Sequence, residues 1–306
     1  MWEFFKPIIV DFKNPVMYAI PFFILLILIE AYLNYKERSD NYVFKDAAAS
    51  ISMGLGSVFS DILAKSTAFI AFIWLYSNVG LFSEALSFTI LGWVLLFFLD
   101  DFTFYWHHRL SHEVRVLWAA HVNHHSSEHY NLSTALRQSW TEIFYKYIFF
   151  LWLAALGFHP LMILTQMSIN LIYQFWIHTK SIKRFPKWFE FIFNTPSHHR
   201  VHHGSNVIYL DRNHAGTLVI WDRIFGTFQE ELEEEPVVYG ITTNINTYNP
   251  LKIATHEFGA LWKDIKKAPT FKAKLGYIFQ PPGWSHDGST QTAEEMRKTL
   301  AKTKQA

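Results

Sequence analysis

Histidines in this chain are concentrated in groups whose spacing is typical of metal ligands. The sequence contains 16 histidines, and 14 of them lie between His107 and His214. Four groups follow one another in this segment, with the patterns HxxxH, HxxHH, a single histidine and HxxHH. Together they supply nine imidazoles, those of His108, His112, His121, His124, His125, His178, His199, His202 and His203.

Helical spacing explains how these imidazoles could reach a common ion. Residues three or four apart lie on one face of a helix, so His108 and His112 can bind the same metal. In the groups that begin at His121 and His199, the first imidazole can pair with either of the last two. The remaining imidazole projects about 100° away and can serve a second metal nearby. Since a single ion cannot use nine ligands, the sequence predicts two metals.

The types of ligand narrow the choice of metal. Imidazole alone does not distinguish iron from zinc, copper or nickel. The chain has no cysteine, which excludes thiolate iron sites and zinc ribbons. A hydrolytic zinc site of the HExxH type is also absent, because the run that starts at His112 and Glu113 lacks the second histidine. All-imidazole ligation beside apolar helices therefore favours iron and O2 chemistry.

Histidines outside the four groups are expected to pack in the core or to lie at the surface. This applies to His129, His159, His256 and His286. His107, His198 and His214 stand close to the groups, and both ligation and a supporting role stay open for them. Hydrogen bonds donated to nearby carboxylates could orient the ligand imidazoles. The candidate acids are Asp100, Asp101, Glu113, Glu128 and Glu142.

Five apolar stretches predict a membrane protein built from helices. They cover residues 16–33, 47–79 and 88–106 and two further runs between residues 143 and 177. Stretches of this length can cross a bilayer, and aromatic residues, at 18% of the chain, suit membrane interfaces. We therefore expect an all-α, multi-pass integral membrane bundle of about four to five membrane helices. The placement of lysine and arginine puts the histidines in a helical cap on the cytoplasmic side.

The ends of the chain are expected to differ from this bundle. Residues 1–15 predict a short interfacial helix and residues 251–265 a surface helix, whereas the polar tail after residue 285 is expected to be disordered. A net charge of +1 gives no indication of nucleic-acid binding. The chain divides into N-terminal membrane helices, a catalytic domain and a C-terminal cytoplasmic segment, over residues 1–87, 88–228 and 229–306.

The order of the histidine groups resembles the signature of the fatty acid hydroxylase and sterol desaturase superfamily of membrane di-iron enzymes. Within it, six runs are similar to the alkylglycerol monooxygenase family, including stretches that contain no predicted ligand. These runs are residues 121–139, 173–179, 194–204, 220–228, 238–250 and 281–284. One departure is His214, where that family usually has a tyrosine.

The resemblance implies a site and a reaction. The nine grouped histidines would bind two iron ions, with His198 as a further candidate ligand, and Glu113 would be needed for activity. Electrons would come from tetrahydrobiopterin or from another donor. The enzymes of that family hydroxylate the ether-linked carbon of a glyceryl ether, and the product collapses to a fatty aldehyde and glycerol.

We therefore expect an O2-dependent di-iron monooxygenase whose lipid substrate enters from the bilayer. Cleavage of alkylglycerol ethers is the reaction that the resemblance favours, and Glu113 and Asp101 are the acids expected to take part in the chemistry. One alternative is hydroxylation or desaturation of a sterol, a fatty acid or a carotenoid. Another alternative is a membrane metal-binding or transport protein without turnover. The sequence leaves the electron donor or reductase open.

Overall fold

The structure, a computed structural model, describes residues 14–305 and consists of α-helices joined by loops. No strand occurs within this range, which contains two isolated bridges, one between Phe193 and Leu218 and one between Gly204 and Tyr239. The all-α prediction is therefore confirmed. The interfacial helix predicted for residues 1–15 lies almost entirely outside the described residues.

The helices of the described range vary from a single turn to 35 residues. In chain order the α-helices are α1 (Pro15–Glu37), α2 (Phe44–Asn78), α3 (Ser83–Leu86), α4 (Ile90–Glu113), α5 (Arg115–His125), α6 (Ile143–Lys146), α7 (Leu151–Leu156), α8 (Pro160–Trp176), α9 (Lys187–Ile192), α10 (Pro196–His202), α11 (Ile220–Ile224), α12 (Pro250–Lys267), α13 (Phe271–Phe279) and α14 (Ala293–Gln305). Two 3-10 helices cover Leu132–Leu136 and Tyr147–Phe150, and the second joins α6 to α7.

Helices α1 and α2 are long and apolar enough to cross a membrane. Only 6% and 17% of the residues in their most apolar windows are buried within the protein, so neither is a core helix. Large side chains such as Phe22, Leu28 and Phe59 are exposed, and an apolar outer surface of this kind suits a lipid environment. These two helices indicate a membrane protein, whereas the larger number of four to five membrane helices stays a prediction.

A buried apolar core joins α2, α4, α7 and α8. Phe72, Leu96, Leu153 and Met162, one from each helix, are fully buried in a single cluster. Burying a side chain of this size contributes about 1.5–3 kcal/mol. The first histidine group lies at the end of α4 and His178 follows α8, so this core fixes the positions from which both project.

A turn at residues 157–160 separates α7 from α8. Gly157 has a φ of 112°, a left-handed conformation that favours glycine, and a Cβ atom there would lie 2.5 Å from the backbone nitrogen of Ser83. Pro160 begins α8, where no backbone donor is needed, and the His159 side chain accepts a hydrogen bond from the N–H of Leu161. The two apolar runs predicted between residues 143 and 177 therefore form separate helices joined by this turn.

Glu30, in the apolar α1, ties this helix to the loops beside the histidines. Its carboxylate accepts hydrogen bonds from the hydroxyl of Tyr42 at 2.7 Å and from the backbone N–H of Leu132 at 2.8 Å. It also accepts one from the hydroxyl of Thr179, next to His178. Because a buried carboxylate is costly without partners, these bonds fix how α1 meets the segment after α8.

A second buried anchor is the ion pair between Asp46 on α2 and Arg137, whose charged groups are 2.9 Å apart. Their side chains are 4% and 1% exposed. Ser127 donates to Asp46 at 2.6 Å, and Arg137 donates to Ser126 at 3.1 Å. The pair therefore fastens the loop that follows His125 onto α2.

The C-terminal segment is helical. Helix α12 confirms the surface helix predicted for residues 251–265. The prediction of a disordered tail after residue 285 is wrong, because α14 forms there. Its first turn is closed by reciprocal bonds between Thr292 and Glu295, whose carboxylate accepts from the Thr292 N–H at 2.8 Å. Arg297 donates to the carbonyl of Leu210 at 2.5 Å and holds the helix against the body of the protein.

Replacing Arg137 by methionine would leave the buried Asp46 carboxylate without its charge partner. Breaking a buried pair in this way costs about 3–5 kcal/mol, so we expect a clearly lower melting temperature in detergent-solubilised protein. The matched control is Lys298→Met, which removes an exposed pair with Glu294 and should leave the melting curve unchanged. Equal melting temperatures for the two variants would contradict this role of the buried pair.

Candidate metal centre

All nine predicted ligands converge in two neighbouring clusters at the ends of α4, α5, α8 and α10. The five-histidine cluster contains His108, His112, His121, His125 and His202. The four-histidine cluster contains His124, His178, His199 and His203. Within each cluster the ligand nitrogens lie within 4.8 Å of one another, and every residue is buried. Each cluster could therefore hold a metal ion.

Adjacent histidines are divided between the clusters as helical geometry requires. On α5, His121 and His125 are four residues apart and share the five-histidine cluster, whereas His124 belongs to the other. At the end of α10, His202 and His203 are divided in the same way. The rings of His125 and His203 are stacked with their centroids 4.4 Å apart, so the two clusters are direct neighbours.

Backbone carbonyls fix the tautomers of three ligands. His108 Nδ1 donates to the carbonyl of His214 at 2.8 Å, and His202 Nδ1 donates to the carbonyl of Arg212 at 2.9 Å. Since a carbonyl oxygen only accepts, both Nδ1 atoms carry the proton and both Nε2 atoms keep a lone pair. His178, just after α8, has the same arrangement with the carbonyl of Gln174 on that helix at 2.6 Å. These three imidazoles are thus prepared to bind a metal through Nε2.

Two carboxylates support further ligands of the five-histidine cluster. One Glu142 oxygen lies 3.0 Å from His121 Nδ1, and the other lies 3.5 Å from His107 Nε2. An Asp211 oxygen lies 3.4 Å from His112 Nδ1. Carboxylates in this position orient a ligand imidazole and raise its basicity. Glu142 was among the predicted supporting acids, and Asp211 was missed because it belongs to no histidine group.

The nitrogens that face inwards fit a cation. The Nε2 atoms of His108 and His121 are 3.0 Å apart, and those of His178 and His199 are 2.9 Å apart. Lone pairs at such distances repel unless a proton or a metal ion lies between them. Buried nitrogens without any partner are rare in proteins. Among the clustered histidines described, the Nε2 atoms of His112, His202 and His203 are buried without a hydrogen-bond partner.

Burial keeps these imidazoles neutral. Loss of water lowers the pKa of His202 to about 3. It also holds the pKa values of His124, His125 and His199 well below their ordinary value, and neighbouring imidazoles add to the effect. A neutral imidazole is the form that binds metal, so these four imidazoles are in the form that can accept an ion at neutral pH.

The loop over residues 211–217 is bent so that its carbonyls reach the ligands. Asp211 and Asn213 have φ values of 52° and 56°, left-handed conformations that residues other than glycine adopt uncommonly. Between them, the carbonyl of Arg212 accepts the hydrogen bond from His202. Backbone strain of this kind is concentrated at functional sites. The preference of Asp and Asn for this conformation is the sequence signal that could have identified the loop.

Asp222, a further residue that sequence analysis missed, holds this loop in place. Its carboxylate accepts hydrogen bonds from the backbone N–H groups of His214 and Ala215 at 2.8 and 2.9 Å. The carbonyl of His214 in turn accepts from His108. Asp222 is therefore a positioning residue, because it acts on a ligand through the loop backbone.

Asp101, predicted to take part in the chemistry, holds the other end of the same loop. It accepts hydrogen bonds from the N–H groups of Thr217 and Leu218 at 2.7 and 2.9 Å and from the Trp221 indole at 3.0 Å. Within the described residues it makes no hydrogen bond to an imidazole of either cluster. Its part in the chemistry stays a prediction, and its contacts are those of a positioning residue.

Glu113, the other acid predicted to act in the chemistry, lies at the end of α4 beside the five-histidine cluster. It pairs with Arg109 at 2.9 Å, and its side chain is 37% exposed. Arg109 also donates to the hydroxyl of Tyr105 at 3.1 Å. This partly exposed carboxylate next to His112 is accessible to a ligand, and its role stays a prediction.

The three histidines whose role was left open lie outside both clusters. His107 contacts Glu142, and His198 Nδ1 lies 3.4 Å from the hydroxyl of Thr195. His214 is fully buried, and its ring centroid is 5.0 Å from that of His112. These positions favour a supporting role over direct ligation.

Glu142→Gln tests whether the carboxylate behind His121 strengthens metal binding. Loss of such a partner typically lowers metal affinity about 10–100-fold, so we expect titration with a competing chelator to remove metal from this variant at a correspondingly lower concentration. Glu128→Gln is the matched control, because Glu128 is exposed and bonds to neither cluster within the described residues. Equal affinities in the two variants would show that the contact with Glu142 is incidental.

Comparison with known proteins places the clusters in a family context. The fatty acid hydroxylase family model matches residues 93–227, which include all nine clustered histidines. Alkylglycerol monooxygenase from Homo sapiens is 44% identical over 268 residues, 87% of this chain and 59% of that protein. The enzyme of the same name from Xenopus tropicalis is 38% identical, over 90% of the chain and 60% of that protein. Ornithine lipid hydroxylase OlsE from Rhizobium tropici is 27% identical over 166 residues, 50% of the chain and 46% of that protein.

The chain thus spans about three-fifths of the length of the alkylglycerol monooxygenases that it matches. No solved structure gives a significant match. The resemblance predicted from the histidine groups is confirmed. The family model matches residues 93–227, and the identity to the human enzyme extends over 268 residues. Residues 93–227 therefore belong to the fatty acid hydroxylase family.

Proposed function

We propose that this chain is an integral membrane monooxygenase that binds two iron ions and uses O2 to hydroxylate a C–H bond of a lipid. The observation that carries the proposal is the convergence of nine buried imidazoles in two adjacent clusters. Four or five nitrogen ligands bind an iron ion while leaving coordination positions for O2. The proximity of the clusters suits two ions that act together.

The ligand set favours iron over zinc. Within residues 14–303 neither cluster includes a carboxylate, and the whole chain lacks cysteine. A structural zinc site closes at four ligands, which the five-histidine cluster exceeds. Glu142 and Asp211 stand behind the ligands. There, a carboxylate offsets the charge of an ion without occupying a coordination position.

Bound iron would supply O2 activation and the removal of a hydrogen atom from the substrate. The overall reaction consumes the lipid C–H compound, O2, two electrons and two protons, and it gives the hydroxylated lipid and water. The chain's own residues keep the imidazoles oriented and hold the site away from bulk water, since all nine ligands are buried. The electrons come from an external donor, which we propose to be tetrahydrobiopterin or a reductase.

The proposed substrate is an alkylglycerol, because the relatives with the greatest coverage carry the name alkylglycerol monooxygenase. Hydroxylation of the ether-linked carbon would give a hemiacetal, which separates into a fatty aldehyde and glycerol. The exposed apolar faces of α1 and α2 support entry of the lipid from the bilayer. We further propose a multi-pass protein with the histidine clusters on the cytoplasmic side. Its three parts would be residues 1–87, 88–228 and 229–306.

A second candidate is hydroxylation of another lipid. The similarity to an ornithine lipid hydroxylase shows that half of the chain resembles an enzyme named for a different substrate. Hydroxylation of a sterol, a fatty acid or a carotenoid would use the same metal ligands, but the path by which the substrate reaches the metal would differ. A metal-binding protein without turnover would also share the ligands and would give no product.

Purified protein loaded with iron in lipid nanodiscs is expected to convert an alkylglycerol, labelled at the ether-linked carbon, to labelled fatty aldehyde. One O2 should be consumed for each aldehyde formed, and the reaction should require a reduced donor. His202→Ala, which removes one proposed metal ligand, should lose both bound metal and product.

The electron donors to compare are reduced pterin and a reductase with NADPH, and the substrates to test in parallel are a sterol, a fatty acid and a carotenoid. Protein that holds two irons yet oxidises none of these lipids would contradict the proposal.

Glu113→Gln should separate a chemical role of this residue from a structural one. Because Glu113 touches none of the nine imidazoles within the described residues, the variant is expected to keep its full metal content and to lose most of its turnover. Arg109→Gln, which removes the partner of the same ion pair, is the control. If both variants lose activity equally, the ion pair rather than the carboxylate would be what the enzyme needs.

A further inference from the structure

Helices α12 and α13 each expose an apolar stripe on the side that faces away from the protein. On α13, Phe271, Leu275 and Phe279 are four residues apart and are 75%, 40% and 60% exposed. On α12, Leu251 and Trp262 lie eleven residues apart, which is three helical turns, and both are exposed. The opposite faces are buried against the body of the protein. Five large apolar residues are thus left without a partner in the described structure.

Lysines surround these stripes. The segment from α12 to α13 contains six lysines, and all six are exposed. They are Lys252, Lys263, Lys266, Lys267, Lys272 and Lys274. None of them forms an ion pair with a described residue. The two acids of the same segment, Glu257 and Asp264, are both bound by Arg115, at 3.0 and 2.7 Å. The outer face of the hairpin therefore carries an uncompensated positive charge.

The position of the hairpin brings this face close to the apolar surface of α2. Ile253 and Ala254, in the first turns of α12, pack on Ala49 and Met53 near the start of α2. Large apolar residues of α2 close to this contact are exposed, among them Ile51 at 40%, Leu55 at 63% and Phe59 at 78%. The hairpin thus packs beside the first part of the apolar outer surface of α2.

Helix α14 provides a comparison within the same chain. It is exposed as well, yet in its described part it carries no large exposed apolar residue, and Lys298 is paired with Glu294. Exposure alone therefore does not produce the combination found on α12 and α13. An apolar stripe bordered by lysines is the pattern of helices that lie in the interface of an anionic bilayer.

We propose that the α12–α13 hairpin is an interfacial anchor that rests its outer face on an anionic lipid leaflet. The apolar stripe enters the boundary between headgroups and acyl chains, and the lysines contact the anionic headgroups. Each lysine near such a surface strengthens the attachment about fivefold. The anchor holds the segment packed against α5, which carries three of the clustered histidines, at a fixed distance from the bilayer. This inference does not depend on the chemistry at the metal centre.

Spin labelling of the full-length protein tests this proposal, because the chain has no cysteine that would need to be removed. A label at Leu275→Cys is compared with one at Thr299→Cys on α14, in vesicles of phosphatidylcholine with and without phosphatidylserine. In the anionic vesicles the label at position 275 should be accessible to O2, which dissolves in lipid, and shielded from a water-soluble nickel complex. The label at position 299 should show the opposite accessibility in both kinds of vesicle.

Charge reversal provides the second measurement. The triple variant Lys266→Glu, Lys267→Glu and Lys272→Glu should lose the shielding of position 275 in anionic vesicles, whereas Lys298→Glu with Lys302→Glu on α14 should retain it. Unchanged metal content in both variants verifies that the protein is folded. Nickel accessibility at position 275 in both kinds of vesicle would overturn the proposal. This is also the result expected if the face binds another protein and not the bilayer. Shielding of position 275 that is the same with and without phosphatidylserine, and the same after charge reversal, would also overturn it.

Discussion

Nine imidazoles must direct nitrogen atoms inwards, five of them are held from behind through Nδ1, and much of the structure follows from this requirement. Inward-facing nitrogens only 2.9–3.0 Å apart repel one another when they carry lone pairs, so this geometry fits a cation between them. Metal binding and folding are coupled in such a site. The bent loop over residues 211–217 is the clearest consequence, because it accepts backbone strain in order to present carbonyls to His108 and His202.

Buried polar contacts connect the segments that bear the histidines to the apolar helices α1 and α2. Glu30 joins α1 to Thr179, directly after His178, and the pair of Asp46 with Arg137 joins α2 to the loop after His125. These charged groups would be costly in an apolar environment if they were left unpaired. They are satisfied by the segments that carry the ligands. The apolar helices are therefore parts of the scaffold of the centre, and a change in their packing is transmitted to the histidines by only one or two hydrogen bonds.

The sequence predicts the grouping of the histidines because helical spacing is a local property. The positions of His121, His124 and His125 predict that these side chains project from α5 in two directions, and the structure divides them between the two clusters. Asp211 and Asp222 could not be found in this way, since they reach the ligands through loop geometry and long-range contacts. Asp101 was identified as important from its place on α4, but its partners lie over a hundred residues away in the sequence. The tail after residue 285 was misjudged because its polarity concealed the capping bonds that start α14.

The groups behind the ligands differ between the two clusters, and this asymmetry bears on the chemistry. Glu142 and Asp211 support two imidazoles of the five-histidine cluster. In the four-histidine cluster, the Nδ1 atoms of His124 and His199 have no partner among the described residues. A carboxylate behind an imidazole increases the electron density that the ligand donates. With an ion in each cluster, the five-histidine cluster would stabilise the more highly charged one, both by its extra imidazole and by its two carboxylates. Two ions bound here would be held unequally, so the position of a ligand on α5 determines which ion it serves and how strongly that ion is held.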